Sequence, residues 1–549
     1  MRRAVDGHLI KLEAPFSSCP TLSTPSCAET LRHLDNQFFI GDQPALTQIS
    51  GWANAWSSQP STYAVAAENT ADIVAAVNFA RTHRLRLVVK GGGHSYKGAS
   101  NSADSLLIWT RAMNSVVMHD GFIPAGAPTA TAQSAVTIGA GAMWIDAYHA
   151  VTTLGARYVQ GGGCTTVGVA GLVQGGGFGS FSKNFGTAAA NLLEAEIVTA
   201  DGQVRVANAY TNPDLFWGIK GGGGGSLGVV TRVTLRTHTL PDFFGGVFAK
   251  VSASSGVAYR ALIAKVMEFY TRELFNPSWG EQISFGPDNT LKIDMVFQGL
   301  DQKRAEATWT PLFDWIRGQG EYSFVEPAAV LALPARHLWD VDFLREHAPG
   351  IMVTDDRPHA PAHHAVWKGD QDQAGWFIHR YSSRWLPAAL LSIQRQPELV
   401  DALFAAARHW RVGLHFNKGL AGATRDVIDA ARDTATNPDV LTAFALAIIA
   451  GGDSAAYPGQ PGAKVDLVKA AKTSDRIGAA VAELSKVAPK VSAYVAESDF
   501  FEPDWQRSFW GTNYPRLAAV KQKYDRDGLF FAHHGVGSEE WSADGFTRR

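Results

Sequence analysis

Gly161-Gly-Gly-Cys164-Thr-Thr-Val167-Gly168-Val-Ala-Gly171-Leu-Val-Gln-Gly175-Gly-Gly-Phe178-Gly179 is the most informative stretch of this 549-residue chain. Glycine lacks a Cβ, so a run this dense opens the backbone to close approach. A flat, bulky ligand lying against that backbone accounts for the composition. A glycine-rich bend around a small buried cysteine accounts for it too, and the segment alone leaves both open. Upstream, Lys90-Gly-Gly-Gly-His94-Ser-Tyr96-Lys-Gly98 repeats the theme. An apolar run over 85–89 predicts a strand feeding straight into consecutive glycines, whose N–H groups can form an anion-binding nest. Such loops also serve as plain tight turns, and a histidine at the edge of one has an ordinary role as a hydrogen-bonded structural residue.

Around these segments the chain reads as alternating strands and helices. Thr70 is predicted as an N-cap with Asp72 in the first turn, and Ile73, Val74, Val77 and Ala80 follow at helical spacing. Strands are predicted over 135–138 and 196–198, the second closed by an Asp201-Gly202 turn. After Thr239 the glycine runs stop. Residues 245–490 then carry amphipathic helices over 258–274 and 397–410 and a strand over 291–297, which reads as a second α+β domain. The tail is dense in aromatic residues, so it is expected to pack. In the middle region, Trp367, Trp376, Trp385 and Trp410 fill a core or stack on a substrate. His363 and His364 would point apart on a strand, so no metal site is expected there.

Composition narrows the function. Lys and Arg number 49 against 51 Asp and Glu, a net charge of −2, which argues against a nucleic-acid binder. The 46% hydrophobic and 18% charged content fits a well-buried globular protein. No run of about eighteen apolar residues occurs, so no membrane span is expected. Cys19 and Cys27 lie in a turn-rich stretch. They are either free thiols of a cytoplasmic protein or a disulfide of a periplasmic or secreted one. Residues 1–30 show no apolar core of a signal peptide, so both compartments stay open.

Four ordered signatures resemble the vanillyl-alcohol oxidase superfamily of PCMH-type FAD-linked oxidoreductases, in particular its berberine-bridge-enzyme-like branch. They are the Gly-Gly-His94-Ser-Tyr96 loop, the Gly-x-Cys164-x-Thr-Val167-Gly segment with its Gly-Gly-Gly-aromatic-Gly continuation, Asp214-Leu-Phe-Trp217-Gly-Ile-Lys220 with glycines 221–225, and a C-terminal signature of Asn513-Tyr-Pro-Arg-Leu517 with Lys523-Tyr524-Asp525. The resemblance implies an α+β, two-domain PCMH-type FAD-binding fold whose substrate domain is an antiparallel sheet backed by helices. Its expected parts are an N-terminal segment 1–40, the FAD-binding domain 41–240, the substrate domain 241–490, and a tail 491–549 returning to the FAD domain.

By the same resemblance, His94 bonds the flavin 8α-methyl carbon and Cys164 bonds flavin C6, giving bicovalent FAD. The implied cofactor-binding set adds Gly91, Gly92, Gly93, Ser95, Gly98, Gly163, Val167, Gly168, Gly171, Gly175, Gly179, Val198 and Asn513. Val167 resembles the oxygen-permissive choice at its position. Departures from the pattern are Lys90-Gly91 where Arg-Ser is common, Leu172 for a histidine and Phe178 for a tyrosine. The implied activity is an oxidase that takes hydride from a hydroxyl-bearing carbon of a carbohydrate or other alcohol and reduces O2 to H2O2. The alternatives are a dehydrogenase with another acceptor, an oxidase of an aromatic secondary metabolite, and a flavin carrier without turnover. Removing hydride needs a base for the hydroxyl proton. Ser492-Ala-Tyr494-Val-Ala-Glu497-Ser-Asp499 lies where related oxidases carry it, and Glu497 falls at the base position. On a strand, Glu497 and Asp499 would share one face and both face the flavin. Tyr96 is the third candidate, as a hydrogen-bond partner of the substrate hydroxyl.

Overall fold

The computed structural model describes residues 1–17, 19 and 25–549. Its first lobe joins two sheets around one helix. The strands Tyr63–Ala66, Leu106–Trp109 and Leu87–Lys90 run parallel, with Leu9–Lys11 antiparallel at the edge. The second sheet is antiparallel, in the order Val204–Asn208, Leu192–Val198, Val229–Thr239, Gln133–Gly139, Val116–Phe122. The helix Thr70–His83 buries Ile73, Ala76, Val77 and Ala80 against Val65 and Ile108 of one sheet and Val198 and Val229 of the other. The helical spacing is therefore correct, but the cap is one residue earlier than expected. Asn69 is extended and its side chain accepts from the N–H of Ala71 and Asp72. Thr70 is the first helical residue, and its hydroxyl instead donates to Glu196 at 2.8 Å.

The second lobe is a nine-stranded sheet in the order Tyr322–Pro334, Phe243–Ala253, Thr290–Gln298, Trp279–Phe285, Val412–His415, Ala443–Asp453, Gly375–Pro387, Ile49–Trp52, Trp56–Ser57. Every pair is antiparallel except Gly375–Pro387 with Ile49–Trp52. The last two strands come from the N-terminal part of the chain, which ties the lobes together. Alternation along Thr290–Gln298 sends Leu291, Ile293, Met295 and Phe297 to one face, where the helices Gly256–Phe269, Gln302–Arg317, Gln396–His409 and Leu467–Ser485 cover them. The helix expected over 258–274 ends in a wider π-turn at Tyr270–Leu274. The opposite face of the sheet carries Ile378, Tyr381, Trp385 and Leu446, which pack with Phe178 and Tyr494. That face looks onto the glycine segments.

The tail returns to the first lobe. Lys523 pairs with Asp214 at 2.6 Å, Trp510 Nε1 donates to the Gly221 carbonyl at 3.0 Å, and Leu87 forms a parallel bridge with Phe530. The C-terminal signature Asn513–Leu517 lies at the start of the helix Tyr514–Tyr524. Cys19 and Cys27 are disulfide-bonded, with Cα atoms 5.6 Å apart, and Cys164 is free. No helix among the described residues is long and apolar enough to cross a membrane.

Candidate active site

The strand Leu87–Lys90 delivers the first glycine loop, and Lys90 anchors it. Its buried Nζ donates to the carbonyls of Gln43, Pro44 and Leu46 at 3.1, 2.7 and 2.8 Å. The second glycine loop lies directly against the first. A Cβ on Gly92 would stand 2.6 Å from the Gly168 nitrogen, and one on Gly168 would stand 2.7 Å from the Gly92 nitrogen. These glycines are demanded by each other's backbone. Gly91 likewise abuts the Ala140 carbonyl, Gly98 the Trp56 ring, and Gly179 the Gly161 carbonyl. Gly93 needs its glycine for a φ of +78°. By contrast, a Cβ on Gly171 or Gly224 would meet nothing within 4 Å. Open backbone in the second and third glycine runs leaves a cradle where a bulky cofactor fits.

The abutting loops bring the sequence candidates together. His94 Nε2 lies 3.1 Å from Thr166 Oγ1, two residues from Cys164. Gly163, Cys164, Val167, His94, Ser95 and Tyr96 are all half-buried. Burial lowers the His94 pKa to about 4 against an opposing hydrogen bond to the Thr166 backbone, so the imidazole is neutral and nucleophilic. Burial, and then the Asp370 carboxyl lying against it, push the Cys164 thiol well above its usual range. The segment that brings Asp370 is clamped onto this loop. Thr165 donates to the Ala365 carbonyl at 2.7 Å, and Trp367 Nε1 donates to the Gly163 carbonyl at 3.2 Å. A neutral imidazole and a thiol on neighbouring loops, beside an open glycine cradle, form a donor set that fits a covalently held FAD.

The substrate-side groups converge on the same place. The rings of Tyr96 and Tyr381 lie 4.9 Å apart, and Trp376 stands edge-on to both at 6.3 Å. Burial, and then the negative charge of Glu497, push both phenols well above their usual range. They are hydrogen-bond donors at neutral pH. Glu497 forms an ion pair with Lys418 Nζ. Burial lowers the pKa of His415 well below its usual value, and Lys418 lowers it further. Glu281 accepts from Ser180 Oγ, and its backbone sits in the left-handed region at φ +64°. A non-glycine residue held there is a strained feature of the kind that gathers at functional sites. Burial raises the Glu281 carboxyl, with the Ser180 hydrogen bond opposing.

Three expectations need correction. Residues 494–497 are a turn rather than a strand, closed by Glu497 N–H donating to the Tyr494 carbonyl at 2.9 Å. The turn cancels the alternation, so Glu497 and Asp499 do not share a face. Asp499 bonds Arg380 Nε at 2.9 Å and Ser382 Oγ at 3.2 Å, lining a separate cavity of about 450 Å³ with Trp52, His379 and Arg384. His363 and His364 do not point apart either. They lie in a turn, and both Nε2 atoms reach Asp146 Oδ1 at 3.1 Å. Burial pushes Asp146 up, but the two histidines outweigh it and hold its carboxyl well below the usual range. Arg111 also approaches Asp146, at 3.8 Å, in a network with Asp42, Arg357 and Asp355. Finally, Val198 is fully buried in the first lobe, paired with Val204 on one side and Val229 on the other, and presents no surface to a cofactor.

Asn513 ties its amide to the Thr436 carbonyl at 2.8 Å, and a Cβ on Gly175 would stand 3.2 Å from the Tyr494 hydroxyl. Ser95 Oγ accepts from the Ala99 N–H at 3.1 Å, which closes the first loop. Sequence reasoning missed Gln37, Glu281, Asp370 and Tyr381, and gave Lys418 no role. None of these lies in a glycine signature; the fold brings them in from distant strands, short helices and turns.

Known proteins match this arrangement. The FAD binding domain family matches residues 61–208, and the berberine and berberine-like family matches 493–537. An FAD-linked oxidoreductase of Penicillium thymicola is 27% identical over 585 residues, spanning 100% of this chain and 92% of its own. A VAO-type flavoprotein oxidase of Thermothelomyces thermophilus is 29% identical over 491 residues, spanning 88% and 78%. Among solved structures, a VAO-type flavoprotein from Myceliophthora thermophila superposes with a TM-score of 0.79 at 24% identity, covering 100% of this chain and 96% of its own. The glucooligosaccharide oxidase of Acremonium strictum, described with a 6-S-cysteinyl, 8α-N1-histidyl FAD, gives 0.66 at 17% identity, covering 97% and 99%. These likenesses establish the shared fold.

Proposed function

We propose, from the matches to the FAD binding domain and to the berberine-like family, that the chain is an FAD-linked oxidoreductase of the berberine-bridge-enzyme-like kind and, within it, an alcohol oxidase with bicovalent FAD. It takes hydride from a hydroxyl-bearing carbon of a small carbohydrate or related alcohol, and O2 is the final acceptor, leaving as H2O2. The observation that supports this is the meeting of His94 and Cys164 with Tyr96, Tyr381 and the Glu497–Lys418 pair at one place.

FAD, when bound, supplies the acceptor for the hydride. The chain's own residues handle the proton and the fit. Tyr96 and Tyr381 keep their protons and donate hydrogen bonds to substrate oxygens. Glu497 accepts the hydroxyl proton, with Lys418 holding the carboxylate in place. The faces of Trp376 and Tyr381 suit a sugar ring, and carbohydrate oxidases among the structural neighbours support that class.

Denatured, acid-precipitated protein should stay yellow, and peptides containing His94 and Cys164 should each carry flavin mass. Mixed anaerobically with a panel of oligosaccharides and aromatic alcohols, the holoenzyme should bleach with a carbohydrate and recolour on admitting air, with one H2O2 per turnover. Flavin released on denaturation would remove the covalent part. Bleaching that air does not reverse, but a quinone does, would replace the oxidase by a dehydrogenase.

A further inference from the structure

Behind His94 runs a hydrogen-bond chain whose proton positions are determined. Gln37 Nε2 donates to the Asp370 carbonyl at 2.6 Å. A carbonyl only accepts, so the amide must present Oε1 on its other side, toward Thr166 Oγ1 at 2.5 Å. An amide oxygen also only accepts, so the Thr166 hydroxyl proton is committed to Gln37. Thr166 is left with a lone pair, and the His94 nitrogen facing it at 3.1 Å must carry a proton. Neither relay residue can turn away. Thr166 and Gln37 are buried, and Gln37 begins the wholly buried helix Gln37–Gly41, capped by Asn36. The Gln37 carbonyl is pinned as well, by Gln48 Nε2 at 2.7 Å.

Neutral imidazole has one N–H and one lone pair. We infer that Gln37 and Thr166 are positioning residues for flavin attachment, locking His94 in the Nε2–H tautomer so that Nδ1 is its nucleophile. The inference rests on the covalent-FAD reading and deepens it. In the attachment step the Nδ1 lone pair forms the bond to the 8α carbon. A C–H bond of the 8-methyl group breaks and its proton leaves to solvent, the electron pair reduces the ring, and the imidazolium formed at His94 becomes neutral by releasing its Nε2 proton. Molecular oxygen is the oxidant that restores the ring, forming H2O2. With the opposite tautomer, Nδ1 would carry a hydrogen where the new bond must form.

Gln37 lies outside the matched FAD binding domain at 61–208. An N-terminal segment therefore sets the chemistry of a residue in that domain, and its Asp370 contact ties the relay to the group lying against Cys164.

The test compares four variants of the full chain, expressed with FAD and digested for mass spectrometry of both attachment peptides. Gln37→Met removes the acceptor and frees the Thr166 hydroxyl to turn its proton onto Nε2. Thr166→Val removes the hydroxyl at nearly constant shape. Both should lose most of the His94-linked flavin while keeping the Cys164 bond, which reports that FAD still enters a folded site. Gln37→Glu, protonated, still donates to the Asp370 carbonyl and accepts from Thr166. Thr166→Ser keeps the hydroxyl. Both should retain the two bonds. The inference is overturned if Gln37→Met and Thr166→Val attach His94 as completely and as fast as wild type. It is also overturned if Thr166→Ser loses the His94 bond as Thr166→Val does, since packing would then be the cause. If Gln37→Met fails to fold, the Thr166 pair decides alone. Wild-type protein lacking any flavin-linked peptide would instead remove the covalent-FAD reading itself.

Discussion

At the scale of single residues, Glu497 faces the neutral phenols of both Tyr96 and Tyr381 with a cation, Lys418, at its side. The phenols hold their protons too tightly to serve as bases. Glu497→Gln keeps the shape and removes the basicity. Anaerobic flavin reduction should slow by about a hundredfold to ten-thousandfold, the usual contribution of a general base. Both flavin bonds and the rate of reoxidation should stay as in wild type. Reduction within a few-fold of wild type would put the base elsewhere, with Glu281 the next carboxyl in the cleft. Val167 separates the two half-reactions differently. It is half-buried three residues after Cys164 and packs against the first-lobe core; on the proposed reading it stands at the oxygen-gating position, where a leucine adds a methylene. Val167→Leu should slow reoxidation by oxygen more than reduction by substrate in stopped-flow traces. Equal slowing of both would mean general packing damage.

At the scale of elements, Lys183 connects the glycine segment to the substrate sheet. Its Nζ donates to the carbonyls of Gly419, Ala421 and Phe444, the second and third at 2.9 and 3.2 Å. Gly419 follows Lys418, so this tie also holds the partner of Glu497. Lys183→Met leaves buried carbonyls unpaired, at a cost of about 1–3 kcal/mol for each group left unsatisfied. Calorimetry should show a lower Tm, and flavin reduction should slow with both covalent bonds intact. An unchanged Tm would mean that water replaces the ammonium. Elements like this mark the limit of what the sequence discloses. The glycine loops, the helix Thr70–His83 and the strand Thr290–Gln298 are legible because period and turn chemistry are local. The turn over 494–497 is not, because nothing in Tyr-Val-Ala-Glu breaks a strand; its shape follows from Ser383 Oγ bonding the Glu497 carbonyl and the Tyr494 N–H across the lobe. His363 and His364 were misjudged for the same reason, since their convergence depends on Asp146, 217 positions from His363. Gln37 and Asp370 carry no motif at all and acquire their places only when two segments fold over the Cys164 loop.

Across the whole molecule, buried histidines set how stability depends on pH. Burial, with Arg236 and Arg157 nearby, lowers the His238 pKa to about 4. Burial lowers His533 to about 4 against its bond to the Phe500 carbonyl. Burial and the neighbouring His533 lower His534 to about 3, and His415 is lowered well below its usual value. In the unfolded chain these side chains take up protons near pH 6.5, whereas in the fold His238 and His533 stay neutral until about pH 4 and His534 until about pH 3, with His415 lowered in the same direction. Between those values the unfolded state binds more protons, so stability rises with pH and is lost as pH falls through this window. His364 opposes. Burial lowers its pKa, but Asp146 and Asp355 outweigh that and raise it, so it favours the fold below about pH 6.5. His149 and His379 are lowered by burial as well, so the lowered histidines outnumber His364 and the raised carboxyls of Glu281 and Asp370 that oppose them, and the depressed carboxyl of Asp146 costs stability only below about pH 4. Scanning calorimetry of the holoenzyme should therefore give a Tm that falls steadily from pH 7 to pH 5. A Tm at pH 5 equal to or above that at pH 7 would show that His238, His415, His533 and His534 are protonated within the fold, with water reaching rings that the packing of both lobes otherwise keeps dry.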